Sequence, residues 1–219
     1  MSIDIRNLHI EYPGQLLFDD VSFEVSDHEI VAIKTEVLDG GTSLLKGIAG
    51  ILNGVSGESW VDGTDLLAST TSEDHFRIGY VYETHGLLSI YNVQQNICLP
   101  LQFHTNMTVA EIAQEAIYVC DLLHIDHAQL SLFPHDLNDV QTRMINLARA
   151  LIVKPKVLLI DELEGGMSDE VLKDTMQRLK QRQKSFPMAI VITTASEIVM
   201  GLSDRVLKIA NNDLIEEFA

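Results

Sequence analysis

Ile30-Val31-Ala32-Ile33-Lys34-Thr35-Glu36-Val37-Leu38-Asp39-Gly40-Gly41-Thr42-Ser43 is the stretch on which the reading of this chain turns. Ile30 to Ile33 is a continuous apolar run, which predicts a buried parallel strand. The residues after it, Thr42-Ser43-Leu44-Leu45-Lys46-Gly47-Ile48-Ala49-Gly50, predict a helix over roughly 42–52. A strand, a glycine-containing loop and a helix in that order form the frame of a phosphate-binding loop, G-x-x-x-x-G-K-[ST]. There, backbone N–H groups cradle the phosphates and the lysine reaches the outer ones. In this chain Thr35 stands at the first glycine and Gly41 at the lysine, while Gly40 and Thr42 fit the pattern and Ser43 follows it. Leu38 and Asp39 fill positions meant to bring bare backbone to an anion. The expectation is therefore a nucleotide-binding frame whose phosphate chemistry has been altered.

Composition narrows the function classes. A chain of 219 residues suits one or two closely packed domains. Its formal charge of −17 argues against binding nucleic acid or an anionic lipid surface by charge alone. No apolar run reaches the length of a membrane span, and no secretory signal is read. Cys98 and Cys120 have no metal-type spacing and fit buried small residues in a reducing cytoplasm. The histidines are scattered, and His124 and His127 have no cysteine or carboxylate set around them for a metal.

Along the chain, alternation at Ile3, Ile5, Leu8 and Ile10, and again at Val21, Phe23 and Val25, predicts half-exposed strands. Gly54-Val55-Ser56-Gly57-Glu58 reads as a turn. Trp60 to Leu66 reads as a strand, a tight turn and a short strand, and Ile78–Tyr82 as another strand. Residues 92–130 lose the strand pattern. Val109, Ile112, Ala116, Val119, Leu122 and Leu123 recur at helical spacing behind a capping pair, Thr108 and Glu111. A helix follows over about 139–152, with Met144, Leu147, Ala148 and Leu151 as its core stripe. Val157–Ile160 is a second buried strand ending in Asp161-Glu162. A helix over 169–184, strand 189–193, a short helix near 196–201 and a last strand near 205–210 complete an α/β sheet.

Taken in order, these pieces resemble the ATP-binding subunit of an ABC transporter over essentially the whole chain. Glu29–Ile33 and Leu44–Gly50 are similar to the family's strand and helix around its phosphate loop. Ser56–Gly63 is similar to its next hairpin, Asn96–Leu101 to the start of its helical subdomain, and Phe133–Leu137 and Leu147–Leu151 to the flanks of its signature. Val157–Glu162 resembles Walker B with the adjacent catalytic glutamate, and Ser203–Val206 the segment before the last strand. The resemblance implies a P-loop NTPase-like ABC ATPase core, with an N-terminal antiparallel β-subdomain and an inserted helical subdomain. It divides the chain into residues 1–91 and 153–219 for the β-subdomain and core, and 92–152 for the helices.

Carried over residue by residue, the family's site falls on a changed set. The Walker A lysine falls on Gly41 and the Mg²⁺-binding hydroxyl on Thr42. The Q-loop glutamine falls on Glu83, and the LSGGQ signature on Leu137-Asn138-Asp139-Val140-Gln141. The switch histidine falls on Thr194, and the D-loop aspartate on Ser168. Asp161, Glu162, Thr42 and the adenine-stacking aromatic, Tyr12, survive. The resemblance thus implies Glu162 as the vestigial catalytic carboxylate and Tyr12, Gly40, Gly41, Thr42 and Ser43 as the nucleotide side. It implies Asn138, Asp139, Gln141 and Thr194 as the degenerate γ-phosphate side, and Thr42, Glu83 and Asp161 as the Mg²⁺ ligands. Asp161 also reads as a partner of Thr42 or of backbone N–H groups in the altered loop, Tyr12 as a surface turn residue beside Pro13-Gly14, and Lys34, at the wrong end of the loop to replace the lost lysine, as a solvent-facing lysine. At an effective dielectric near 20, like charges about 4 Å apart repel by roughly 4 kcal/mol, so Asp39 opposes phosphate. On that basis ATP and Mg²⁺ binding are expected to be weak or absent.

Two functions follow. One is a non-hydrolysing subunit that docks on an integral membrane permease as scaffold or regulator, cytoplasmic and peripheral to the inner membrane, in a homodimer or heterodimer. The other is a working ATPase with atypical phosphate ligands, driving transport of a solute or phospholipid. A free-standing signalling protein on the same core is a third reading. The run Leu99-Pro100-Leu101-Gln102-Phe103-His104-Thr105, and the ending just after the last strand, are similar to subunits of MCE-linked phospholipid transporters, which makes lipid the first expected cargo.

Overall fold

The computed structural model describes residues 2–71, 74, 76–84 and 86–217, so the last two residues of the C-terminal ending lie outside the described residues. The first sheet is antiparallel, in the order β2-β1-β4-β5, from β1 (Ile3–Tyr12), β2 (Gln15–Val25), β4 (Val55–Val61) and β5 (Thr64–Asp65). The second has six strands in the order β10-β9-β3-β8-β7-β6. Its members are β3 (Ile30–Lys34), β6 (Ile78–Val81), β7 (Val157–Asp161), β8 (Ala189–Thr194), β9 (Arg205–Ala210) and β10 (Asp213–Glu216). Only β10 runs antiparallel to its neighbour.

The apolar runs end up where their pattern demands. Every residue of β7 and β8, and Ile30–Ile33 of β3, is buried, because both faces of this sheet are covered. One face packs Ile30, Ala32, Leu158, Ile160, Ile190 and Ile192 against helices. The other packs Val31, Ile33, Leu159 and Val191 against Leu44, Leu45 and Ile48 of helix α1 (Gly41–Ile48) and the inner face of the antiparallel sheet. Alternation in β1 is interrupted near Asn7 (φ 48°), where the register shifts, so Ile3, Ile5, Leu8 and Ile10 all point inward.

Helices α2 (Val93–His104), α3 (Val109–Leu122) and α4 (Asp139–Leu151) form the interlude between β6 and β7. Thr108 and Glu111 close the capping box expected of them at α3, and Asn92 with Gln95 closes another at α2. Helices α5 (Asp169–Ser185) and α6 (Glu197–Leu202) flank the last parallel strands. Cys98 and Cys120 are free and buried, and burial pushes the Cys120 thiol up to about 12. No helix among the described residues is long and apolar enough to cross a membrane.

Three local expectations fail, the first being that the strand near 205–210 is the last: β10 follows it and pairs back on β9. Residues 54–58 belong mostly to β4 rather than to a turn. Gly57 sits inside that strand at φ 105°, where a Cβ would lie 2.4 Å from the Asn7 carbonyl, so it permits a bulge beside β1. Helix α1 stops at Ile48 rather than near 52. Gly50 turns left-handed (φ 68°), and Ile51 N–H returns to the Lys46 carbonyl (3.1 Å), a glycine C-terminal cap.

Candidate functional site

Strands β3, β7 and β8 are neighbours and end at the same edge, so the segments leaving them converge. In an open α/β sheet that carboxyl edge is where ligands bind. The cleft there is lined by the loop from Thr35 to Ser43, by Tyr12, and by Glu83, Glu162 and Thr193. Among the described residues no lysine or arginine lines it. Lys34 turns away and pairs with Glu217 (3.4 Å).

The loop turns on two left-handed residues. Leu38 holds a left-handed φ of 67° and Gly40 a φ of 96°. For leucine that conformation costs on the order of 1–2 kcal/mol, and Val37 and Leu38 are each 93% exposed, so no packing offsets the cost. The Asp39 carboxylate folds back into the loop, accepting from Glu36 N–H (2.5 Å) and Gly41 N–H (3.1 Å). An anion therefore already sits on two of the loop's N–H groups. The missing lysine has a packing counterpart: a Cβ on Gly41 would lie 2.6 Å from Thr35 Cγ2. Thr35 thus occupies the space in which a side chain at 41 would begin. Its buried hydroxyl has no partner, which leaves a polar group in the loop open to an oxyanion.

Across the cleft, Thr42 Oγ1 donates to Asp161 Oδ1 (3.0 Å), and Thr193 Oγ1 donates to the same oxygen (3.1 Å). Tyr80 OH approaches Oδ2 (3.4 Å). Burial raises the Asp161 carboxyl above its ordinary value, the two threonine bonds oppose this, and Glu83 adds to it. Tyr12 OH meets Ser43 Oγ (3.2 Å), so the ring stands at the cleft mouth while its hydroxyl ties the β1–β2 turn to α1.

Glu162 follows β7 at a left-handed φ of 47°. Its carboxyl is raised first by burial and then by Glu83, Glu164 and Asp161; Arg143 opposes them. Arg143, from α4, donates Nη1 to the Glu162 carbonyl and lies so close to Gly165 that a Cβ there would sit 2.1 Å from Nη2. The composition and motif reading missed Arg143, because in sequence it is only a polar residue on an amphipathic helix.

The remaining site candidates lie elsewhere. Asn138 and Gln141 spend their side chains on a capping box at the start of α4. Asp139 lines a separate groove with Glu83 and Arg143. Thr194 is fully buried and donates to Glu164 Oε1 (2.7 Å), which also accepts from Ala195 N–H (2.9 Å). Its neighbour Thr193 is the one that lines the cleft. Glu164 was not anticipated; the sequence offers no signal for it beyond a carboxylate close to Walker B.

For a divalent cation the donor chemistry fits. Thr42, Asp161 and Glu83 offer only oxygen, and Mg²⁺ commonly takes one or two carboxylates with substrate phosphates rather than an all-protein cage. No set of three or more His, Cys, Asp or Glu side chains suited to a metal occurs among the described residues.

The sheet order, the strand-loop-helix at its edge and the paired carboxylates on β7 define a cassette of the P-loop nucleotide-binding class. The family description "ABC transporter" matches residues 18–164, and the chain belongs to that family. A methionine import ATP-binding protein of Carboxydothermus hydrogenoformans is 29% identical over 98% of this chain and 65% of its own length. A lipoprotein-releasing system ATP-binding protein of Psychrobacter arcticus is 27% identical over 85% of this chain and 84% of its own. This chain spans about two thirds of the length of the methionine-import relative. Among solved structures, a cassette bound to ADP and Pi in a dimeric post-hydrolysis state superposes with a TM-score of 0.89, at 19% identity, over 98% of this chain and 97% of that one. The cbiO1 protein of Clostridium perfringens does so with 0.82, at 22% identity, over 98% and 86%.

This membership corrects the expectation that ATP and Mg²⁺ binding are weak or absent. The chain aligns nearly end to end with relatives named for ATP binding. In the structure the Asp39 carboxylate is held by two N–H groups of the loop rather than standing unpaired in the cleft.

Proposed function

We propose that this chain is an ATP-binding subunit of a transporter complex, docked on an integral membrane permease at the cytoplasmic face of the inner membrane, in which nucleotide is held but turned over little or not at all. The observation that carries this reading is the Thr35–Gly41 pair. The lysine that would neutralise terminal phosphates is gone, and the first part of its space is filled. Nucleotide contacts then fall to backbone N–H groups, Thr42 and a metal bound through Asp161, with Tyr12 and Ser43 at the mouth. Loss of one preorganised donor to a developing oxyanion commonly costs about 3–4 kcal/mol in the transition state. Binding from the cradle survives such a loss better than hydrolysis does, because N–H contacts act on ground and transition states alike.

Glu162 remains as the catalytic candidate, and its retention with Asp161 favours the second reading, an active ATPase with atypical ligands. As for partners, the subunit pairs with a second copy or with another ATP-binding chain. For cargo, the Leu99–Thr105 run supports a lipid. The test is purification with the permease, followed by binding of Mg·ATP and single-turnover hydrolysis on the same sample. Binding without turnover is the expected result. Turnover at an ordinary rate that disappears in Glu162→Gln establishes the active ATPase, and identifying the co-purified permease separates lipid from methionine or lipoprotein systems.

A further inference from the structure

Asp39 holds two N–H groups of the loop in which the strand-loop-helix frame would seat a phosphate. It leaves the loop backbone between Leu38 and Gly40, and its two oxygens take the N–H groups of Glu36 and Gly41. Gly40 permits this through its left-handed φ of 96°. Among the described residues no lysine or arginine lines the cleft beside the carboxylate, so these two N–H groups are its protein donors there. Glu36, Glu83 and Glu162 line the same cleft, and no second seat for an anion is offered there by a cationic side chain.

We infer that Asp39 is a specificity-determining residue for nucleotide binding: it is the resident anion of the loop, and a phosphate enters only by exchange for it. The inference deepens the proposed function and rests on the reading that the cleft takes a nucleotide. Two anions cannot share the same two N–H donors, since each N–H serves one strong acceptor and like charges at hydrogen-bond distance repel. Binding is therefore the difference between phosphate and carboxylate on the same donors. Free phosphate, with one charged group and few other contacts, gains least from the exchange. A nucleotide also gains contacts to the base, the sugar and a metal, so the loop discriminates against simple anions. The exposed, left-handed Leu38 lies next to the residue that has to swing out, so loop movement disturbs no core packing.

The experiment is calorimetric titration of the full chain with Mg·ATP and, separately, with inorganic phosphate, for wild type, Asp39→Ala and Asp39→Asn. Asp39→Ala is expected to bind Mg·ATP at least about tenfold more tightly than wild type, the scale of one charge-assisted hydrogen bond. Asp39→Asn keeps an acceptor oxygen without the charge and is expected to fall between. Phosphate, undetectable with wild type, is expected to bind Asp39→Ala. A wild-type chain that binds Mg·ATP while folded Asp39→Ala binds it no better overturns the inference and leaves the proposed function standing. Failure of wild type and both variants alike to bind Mg·ATP overturns both. If the variants do not fold, the wild-type chain decides alone: the Asp39 carboxyl carbon resonance shifts when Mg·ATP is added, and an unmoved resonance with bound nucleotide sinks the exchange.

Discussion

Two carboxylates of the site, Asp39 and Asp161, are satisfied in different ways. Asp39 takes backbone N–H groups at the rim and is half-buried; Asp161 takes the hydroxyls of Thr42 and Thr193 and is 3% exposed. The rim carboxylate is held by donors that serve any anion, so it is replaceable. The buried one is the common partner of two elements, joining α1 to β8, so its first role is to hold the site together. The comparison teaches that a site can change its charged residues at the rim while its frame is preserved from beneath.

The sharpest way to break this contrast is to remove Asp161. Asp161→Ala leaves two hydroxyls without their acceptor in a buried setting, at about 2 kcal/mol. For a chain of this size that lowers the melting temperature by about 4–8 °C. A stability loss no larger than that of an Asp39→Ala chain would show that the two carboxylates do the same work.

Next in size is the Thr35–Gly41 pair. Gly41→Lys alone overpacks against Thr35 and is expected to cost about 1–2 kcal/mol. Adding Thr35→Gly removes the obstructing methyl, recovers most of that loss and tightens Mg·ATP binding. A double-mutant cycle by chemical denaturation with less than about 0.5 kcal/mol of coupling would mean the two positions changed independently.

A smaller effect of opposite sign is expected at Leu38. Glycine adopts φ near 67° without penalty, and part of that gain is offset by its greater freedom in the unfolded chain. Leu38→Gly is expected to stabilise by about 0.5–1 kcal/mol in urea unfolding. Destabilisation would place Leu38 in a packing role that its exposure denies.

The smallest effect is in pH dependence. The folded Glu162 carboxyl is raised above its ordinary value of 4.5, by burial first, so the folded state holds that proton more tightly than the unfolded state. Its contribution to stability is fully present below the ordinary value and is lost as pH rises through the raised one. Glu162→Gln is therefore expected to raise the melting temperature slightly near neutral pH and to leave it unchanged near pH 4. Equal shifts at both pH values would trace the effect to packing rather than charge.

Much of this was legible in the chain. Ile30–Ile33 and Val157–Ile160 announced buried parallel strands, because covering both faces of a sheet requires unbroken apolar runs. Thr108 with Glu111 announced a helix start through local hydrogen bonding alone. The positions of Thr35 and Gly41 in the loop followed from spacing, and that of Asp161 from the resemblance to Walker B. Gly57 was misread because a glycine in a bulged strand and one in a turn look alike in sequence, and only the approach of the Asn7 carbonyl separates them. The link from Arg143 to Glu162 was invisible for a similar reason: 19 residues apart, they meet only after α4 packs against β6, the neighbour of β7.

By itself, then, the sequence determined the order of strands and helices, the family frame and the absence of the loop lysine. All of these depend on periodicity and local spacing. Tertiary structure alone decided where Asp39 puts its charge, that Thr35 fills the space beside Gly41, and that Thr193 rather than Thr194 faces the cleft. Each of those outcomes depends on which donors and methyl groups lie within a few ångströms once the strand ends converge, and linear spacing carries no record of such distances.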